Sequence, residues 1–291
     1  MTLINGAGAS RQKIGRAIFK QSMNTLRKDP QIMTIPLLAI GANLAFAAVV
    51  GISWILLIPF MDINNTTDAV NIALAIVYGV FAAITHATSQ AAVMFAANER
   101  FEGRNPTVGS ALSAAFKKFG PLALFGLLEA TVGLVLRAIS DNVKVLGDLL
   151  RFIGGLAWAV STYFAIPFII FGGQAPIASI GLSAKLIKAK WGDVLRGNVA
   201  ASAIFVLIYL LAFGGFMGGL VVTLSTCNDA GCNINWSGPS LIVASILVML
   251  LAGLASSTVM AYVKIALYRY ATEKPLPDFD TELLAHGFRA R

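Results

Sequence analysis

Residues 30–61 read PQIMTIPLLAIGANLAFAAVVGISWILLIPFM, a run of 32 residues without a charged side chain. A helix needs about 20 mainly apolar residues to cross a hydrocarbon core of about 30 Å. The run is therefore long enough to span a bilayer, and it is much longer than the apolar core of a cleavable signal peptide, about 7–15 residues. We expect it to remain in the protein as a membrane anchor and to be the first of several spans.

Charge-poor windows of similar length recur along the whole chain. The six predicted spans cover roughly residues 33–60, 70–97, 119–137, 152–172, 200–224 and 240–264. They are rich in Ala, Gly, Ser and Thr, as is typical of membrane helices that pack on one another, and they lack the alternating pattern of a membrane β-barrel. The sequence thus predicts an all-α integral membrane protein. A six-helix transmembrane domain (32–270) lies between a basic amphipathic N-terminal segment (1–31) and a C-terminal tail (271–291).

The composition argues against a soluble protein and against most enzymes. Of the 291 residues, 57% are hydrophobic and 12% are charged, whereas soluble domains carry about 25% charged residues. The sequence contains no Cys/His cluster, glycine-rich phosphate loop or nucleophile elbow. We therefore predict neither a metal site nor a cofactor, and no enzymatic activity.

The distribution of Lys and Arg predicts the orientation. Nineteen of the 22 lie in the termini, in residues 98–118 and in residues 173–199, all on one side of a six-span bundle. Segments rich in Lys and Arg stay in the cytoplasm, so both termini are expected there. The net charge of +8 is thus a signal of topology and of attraction to anionic lipid headgroups. It does not indicate nucleic-acid binding.

Three segments, starting at Ser22, Ser110 and Ser183, combine apolar and basic residues and lead to a break at Pro30, Pro121 or Gly192. Each resembles an interfacial helix ahead of a span, which suggests three repeated units of interfacial helix plus hairpin. Such repeats occur in transporters and in scaffolds. The residues predicted to lie at lipid headgroups are Arg16, Lys20, Lys117, Lys118, Lys185, Lys188 and Trp191.

Glu129 is the most informative single residue, because ionisable side chains inside spans are costly and usually face the bundle interior or water. His86 lies at a similar predicted depth in the second span, and Gln90 is one turn away. Asn43, Thr162 and Tyr209 complete a candidate polar layer near the middle of the membrane. The layer could form a proton or ion path, or it could be an internal hydrogen-bonded lock.

Two further groups of residues have structural interpretations. Gly214, Gly215, Gly218 and Gly219 form overlapping small-xxx-small pairs in the fifth span, which favours close packing of helices. Cys227 and Cys232 fall in a predicted external loop. They could form a disulfide or remain free thiols.

Several stretches together resemble a known family. They are residues 98–108 (NERFEGRNPTV), 158–167 (WAVSTYFAIP), 183–198, and 266–272 (ALYRYAT) with the acidic tail that follows. With them the chain resembles, over about residues 15–288, a family of prokaryotic six-span integral membrane proteins of unknown function. The resemblance implies the six-span fold and a bacterial inner-membrane location. It implies no activity, substrate or catalytic residue.

These observations leave two main functional hypotheses. The first is a non-enzymatic membrane subunit, organiser or lipid-interacting scaffold, with the bilayer and anionic headgroups as partners and with a homo-oligomer or another membrane protein as further options. The second is a small transporter or channel with a midplane site around Glu129 and His86. A weaker third hypothesis, an intramembrane enzyme, has no sequence signature.

Overall fold

The computed structural model describes residues 23–24, 27, 29–57, 67–143, 146–225, 227–228, 231–232, 236–272 and 274. Within these ranges, the side chains of 67–68, 190–204, 227–228 and 231–232 are not described. Residues 1–22 of the predicted N-terminal segment (1–31) and the part of the predicted tail (271–291) beyond residue 274 lie outside the described residues, and so does most of the first predicted interfacial helix.

The described chain is almost entirely helical. A 3-10 turn at Pro30–Met33 leads into α1 (Thr34–Leu57). The helices that follow are α2 (Thr67–Phe101), α3 (Val108–Phe116), α4 (Phe119–Asn142), α5 (Gly147–Ser161), α6 (Ala165–Gly172), α7 (Pro176–Ser225) and α8 (Ser237–Ala271). Two strands of two residues, β1 (Cys227–Asn228) and β2 (Gly231–Cys232), pair antiparallel between α7 and α8.

Six helical segments are long and apolar enough to cross a membrane, which confirms the predicted fold class. They are Pro30–Leu57, Ala69–Phe101, Phe119–Asn142, Gly147–Gly172, Phe205–Ser225 and Ser237–Ala271. Large exposed apolar side chains such as Leu44, Ile55, Phe152 and Leu211 cover their outer faces. Contiguous apolar surface of this kind suits contact with lipid.

The buried core lies towards one end of the bundle, which we call the basic end because the Lys- and Arg-rich connection 98–118 lies there. Small residues from Ala87 to Ala97 on α2 pack against Val259–Tyr268 of α8, and both contact α6 around Phe164–Ile169. Small side chains let these helix backbones approach one another closely. The ends of α2, α6 and α8 are thereby held together.

The interfacial helix predicted to start at Ser110 is present as α3, which begins two residues earlier, at Val108. Thr107 caps it, since its Oγ1 accepts a hydrogen bond from the backbone N–H of Ser110 (3.1 Å), while the Ser110 hydroxyl oxygen accepts one from the Thr107 N–H. This reciprocal arrangement satisfies donors that a helix start leaves free. The break before the next span comes at Lys117–Lys118. Pro121 lies in the first turn of α4, where its missing N–H costs no hydrogen bond.

The prediction of a break at Gly192 is wrong, because α7 runs without interruption over 50 residues and contains both the third amphipathic segment and the fifth span. A glycine weakens a helix by about 1 kcal/mol but keeps its backbone N–H, so it need not end one. The repeat of three equivalent units therefore does not extend to this part of the chain.

Two of the four glycines of the fifth span face α8. A Cβ on Gly219 would lie 2.8 Å from Ile242 Cγ1 and 3.0 Å from the Gly238 carbonyl oxygen, and one on Gly215 would lie 2.6 Å from Ser245 Oγ. A Cβ on Gly218 would only touch Leu241, at 3.9 Å, and one on Gly214 would meet nothing within 4 Å. Gly215 and Gly219 thus permit the close approach of α7 and α8.

Candidate functional site

Four spans line a cavity of about 400 Å³, which we call the central cavity. Its polar lining comes from α2, α4, the turn between α5 and α6, and α8: His86, Gln90, Glu129, Thr162, Tyr163, Ser256, Ser257 and Lys264. Its apolar lining consists of Phe125, Ala159, Ile166 and Met260. A concave site with apolar walls and a few converging polar groups is typical of small-molecule binding.

The central cavity contains four of the six residues predicted to form a polar layer: His86, Gln90, Glu129 and Thr162. Tyr209 lies just behind it, with its hydroxyl 3.3 Å from Ser256 Oγ. Asn43 is elsewhere, on α1, where its Nδ2 donates to the Ala39 carbonyl oxygen (2.8 Å). Its buried Oδ1 has no hydrogen-bond partner in the described part of the chain.

Lys264 was not predicted to belong to the site. Because of its charge, the sixth span was predicted to end at Lys264. Helix α8 instead continues to Ala271 and places Lys264 in the cavity wall. The ammonium nitrogen lies 4.8 Å from the centroid of the Tyr163 ring, close enough for a cation–π interaction. The apolar run Ile265–Tyr268 after the lysine was the available signal that the helix extends further.

The ionisable side chains of the central cavity do not pair with one another. In the described part of the chain, His86, Glu129 and Lys264 make no hydrogen bond and no ion pair within 4.0 Å. Within the same residues, the hydroxyls of Ser256 and Ser257 are occupied by carbonyl oxygens of their own helix, each at 3.1 Å. These ionisable groups are therefore available to water or to a ligand in the cavity.

The fourth span is interrupted beside the cavity. Helix α5 ends at Ser161 and α6 begins at Ala165, with Thr162 and Tyr163 in the turn between them. Pro167 cannot donate the N–H that a continuous helix would give to the Tyr163 carbonyl, and its ring would clash there. The buried Phe164 N–H donates instead to Ser183 Oγ of α7, at 2.9 Å. Broken spans of this kind line the binding sites of many transporters.

Replacing Ser183 with alanine is expected to destabilise the protein by about 1–3 kcal/mol, because the buried Phe164 N–H would lose its acceptor. Ser179 is a matched control, since it is equally buried, lies one turn earlier on α7 and donates to the carbonyl oxygen of Ala175, the residue directly before the same helix. The midpoint of thermal unfolding in nanodiscs should fall clearly for Ser183→Ala and little for Ser179→Ala. Equal shifts would show that the break does not depend on Ser183.

A second, larger cavity lies towards the opposite end of the bundle, and we call it the vestibule. It has a volume of about 860 Å³ and lies between α2 and α4, with Asn71, Arg137, Asp141, Asn142 and Arg151 among its lining residues. Ala130 of its wall is the residue next to Glu129 of the central cavity. The two cavities therefore follow the same pair of helices.

A network of charged residues joins the helix ends at the basic end of the bundle. Arg269 is 4% exposed, and its guanidinium donates to Asn98 Oδ1 (2.7 Å) and to Glu102 Oε1 (3.0 Å). The Arg100 guanidinium donates two hydrogen bonds to the buried Asp29 carboxylate. Together with Glu99 and Arg104 these residues form what we call the basic-end network. It ties α2 to α8 and to the segment before α1.

Two groups of this network have shifted pKa values. Desolvation raises the pKa of Glu102, but the hydrogen bonds from Arg269, Asn98 and Arg104 outweigh it, so the pKa lies below its usual value. The hydrogen bond to Glu99 is the main reason that the pKa of Arg104 lies above its usual value. Both groups are therefore charged at neutral pH, and the network is ionic.

Residues of the basic-end network lie in stretches that carried the family resemblance. Asn98 and Glu102 lie in NERFEGRNPTV, and Arg269 lies in ALYRYAT. A family model described as a family of unknown function (DUF6159) matches residues 69–275, well over half of the chain. The chain belongs to this family. The DUF6159 match includes all residues that line the central cavity, whereas Asp29 and α1 lie outside it. No curated protein matches the chain.

The remaining predicted residues lie apart from the central cavity. Lys117, Lys185 and Lys188 are exposed and Lys118 is partly exposed, whereas Arg16 and Lys20 lie outside the described residues, as does the side chain of Trp191. Cys227 and Cys232 are backbone partners in the β1–β2 pair, but their side chains are not described. Among the described residues of this DUF6159 protein, no group of three or more His, Cys, Asp and Glu side chains could hold a metal ion.

Proposed function

We propose that this protein transports a small polar or charged solute across the membrane, with the central cavity as its binding site. The observation that supports this most is that His86, Glu129 and Lys264 have no hydrogen-bond or ion-pair partner among the described residues, inside a cavity bordered by a broken span. Ionisable groups within spans are costly and mark ion or substrate pathways. The proposed role is a non-enzymatic one.

The alternative of an internal hydrogen-bonded lock fits the geometry less well. A lock would need direct bonds among the polar side chains of different helices, because only such bonds would hold those helices together. The described contacts include one interhelical bond of this kind next to the cavity, between Tyr209 and Ser256, and none that involves Glu129 or His86. The unpaired groups are better suited to a ligand than to a lock.

The arrangement of the two cavities and the network suggests a pathway. In the proposed mechanism the solute enters through the vestibule, reaches the central cavity, and is held back at the basic end by the ion pair of Arg269 on α8 with Glu102, directly after α2. Helices α2 and α8 also line the central cavity. Movement of these helix ends would therefore both break the basic-end network and change the binding site, as alternating access requires.

The proposal is tested with purified protein in liposomes. We expect wild-type protein to carry flux of at least one member of a panel comprising protons, Na⁺, K⁺, Cl⁻, amino acids, carboxylates and amines. Glu129→Gln is expected to lower that flux at least tenfold, and His86→Ala to lower it measurably, because each substitution removes an ionisable side chain from the cavity wall.

Thermal unfolding checks that the variants are folded. Asn43→Ala, an intramembrane polar variant outside the cavity, serves as the control. Transport is ruled out if wild-type liposomes show no flux above empty ones.

The second candidate function is a membrane organiser or lipid-interacting scaffold in the plasma membrane, with both termini in the cytoplasm. It is supported by the exposed side chains of Lys117, Lys185 and Lys188 near the basic end, because clusters of lysines next to a membrane attract anionic headgroups. Native mass spectrometry after mild extraction distinguishes the two. Firmly retained anionic lipid or a stoichiometric second protein would favour the organiser. A protomer or homo-oligomer that retains neither lipid nor a second protein would disfavour it.

A further inference from the structure

We infer that the ligand of the central cavity is a small zwitterion with an apolar body, of the chemistry of an α-amino acid with an apolar side chain. The inference rests on the proposed function, since it names the solute class for the same site. It is carried by a basic and an acidic side chain, Lys264 and Glu129, that line one cavity without forming an ion pair, and by the apolar residues that line the same cavity.

The combination of a basic and an acidic side chain in the cavity lining disfavours ligands with a single charge. The lining includes the basic side chain of Lys264 and the acidic side chain of Glu129, and in the described part of the chain these two form no ion pair within 4.0 Å. A simple anion would pair with Lys264 and leave the Glu129 carboxylate uncompensated, whereas a simple cation would do the reverse. A zwitterion compensates both, which matters because unpaired charges are costly in a medium of low polarity.

The positions of the two groups fit a ligand that lies across the cavity. Lys264 extends from α8 over the Tyr163 ring at the break of the fourth span, and Glu129 comes from α4. The carboxylate of the ligand would therefore be bound from α8, by Lys264, and its ammonium group from α4, by Glu129. His86 and Gln90 of α2 add side chains that can hydrogen-bond either end of the ligand.

The apolar part of the cavity wall determines which kind of ligand side chain fits. Phe125, Ile166 and Met260 are apolar and line the same space, so they favour a hydrocarbon side chain over a second charge. A volume of about 400 Å³ lies within the range of small-molecule sites, about 300–1,000 Å³. A small apolar amino acid meets all of these requirements.

The first test uses wild-type protein in nanodiscs and needs no variant. The probes are L-leucine with its deaminated and decarboxylated counterparts, 4-methylpentanoate and 3-methylbutylamine, and L-phenylalanine with 3-phenylpropionate and 2-phenylethylamine. We expect at least one amino acid to raise the midpoint of thermal unfolding, and its two singly charged counterparts to have no effect at ten times the concentration. The inference is overturned if a counterpart binds as well as its parent, or if neither amino acid binds.

Single variants then test which residue holds which charge. Glu129→Gln should weaken amino-acid binding at least about tenfold, the usual scale for a lost charged hydrogen bond, and it should create binding of the carboxylate probe. Lys264→Met should weaken amino-acid binding as much and create binding of the amine probe. Asn43→Ala should change neither. If both charge variants bind the parent amino acid like wild type, the assignment is wrong.

The two proposals can fail separately. Proton, ion, carboxylate or amine flux through wild-type protein without amino-acid binding would overturn the solute class and leave transport standing. Binding of the amino acid with the expected response of both variants, but without any flux, would remove transport and keep the ligand site.

Discussion

Gly126→Ala is expected to destabilise the protein strongly, because the backbones of α2 and α4 meet at this residue. A Cβ at Gly126 would lie 2.7 Å from Ile84 Cα, 2.8 Å from Ile84 N and 2.9 Å from Ala83 C. All three atoms belong to the backbone, so no side chain can rotate away and the helices must separate. Forcing an extra methyl group into a packed core typically costs about 1–3 kcal/mol, and sometimes more. We place this substitution at or above the upper end of that range.

The measurement is the midpoint of thermal unfolding in nanodiscs, with Gly133→Ala as the matched control. Gly133 lies two turns further along the same helix, and a Cβ there would meet nothing within 4 Å. The control variant should unfold at or above the wild-type midpoint, since alanine favours helix over glycine by up to about 1 kcal/mol. Equal behaviour of the two variants would show that α2 and α4 do not touch at Gly126.

Gly126→Ala should also impair the site. The crossing of Gly126 and Ile84 lies between Glu129, one turn along α4, and His86, half a turn along α2. Both side chains line the central cavity. Separating the helices at this point would move them apart, so we expect any measured flux or ligand binding to fall together with stability.

Arg100→Ala is expected to destabilise the protein by about 3 kcal/mol, the lower end of the range for removing one partner of a buried ion pair. The Arg100 guanidinium holds Asp29 through two hydrogen bonds, and the side chains are 14% and 6% exposed, respectively. The variant would leave the Asp29 carboxylate buried and without its main partner. The lower end is appropriate because Arg100 retains some contact with solvent.

Arg137→Ala is the control, because its ion pair with Asp141 is exposed. The two groups are 3.7 Å apart and their side chains are 70% and 65% exposed. Exposed pairs of this kind contribute about 0–1 kcal/mol, so the unfolding midpoint should hardly change. The double variant Asp29→Ala/Arg100→Ala should recover part of the stability that Arg100→Ala loses, since the buried Asp29 carboxylate is removed as well. A double variant less stable than Arg100→Ala alone would contradict this account.

Much of the fold could be predicted because its signals are local. A charge-free run such as residues 30–61 has the length that a bilayer requires, whatever the other helices do. The start of α3 likewise follows from Thr107 and Ser110, which satisfy each other's backbone donors within four residues. The family membership was also accessible, because it rests on short stretches of the chain.

The errors arose where a local signal was ambiguous. Gly192 was taken as a helix end, but a glycine keeps its hydrogen bonds and α7 continues. Pro167 lies inside a predicted span that was drawn as one helix, and the break before it depends on Ser183 from another helix as the acceptor for the Phe164 N–H. Lys264 was taken as the end of the sixth span because a charged side chain is expected in water, but the central cavity offers it a polar environment within the span.

The sequence by itself determined the number of spans, their approximate limits and the candidate status of Glu129 and His86, because hydropathy and charge act residue by residue along each helix. Only the tertiary structure decided which faces of the helices meet. It brought Lys264 into the cavity with Glu129, placed Asn43 outside it, and joined Arg269 to Asn98 across 171 residues of sequence. Helix rotation and crossing depend on how side chains of distant segments fit against one another, and no single segment contains that information.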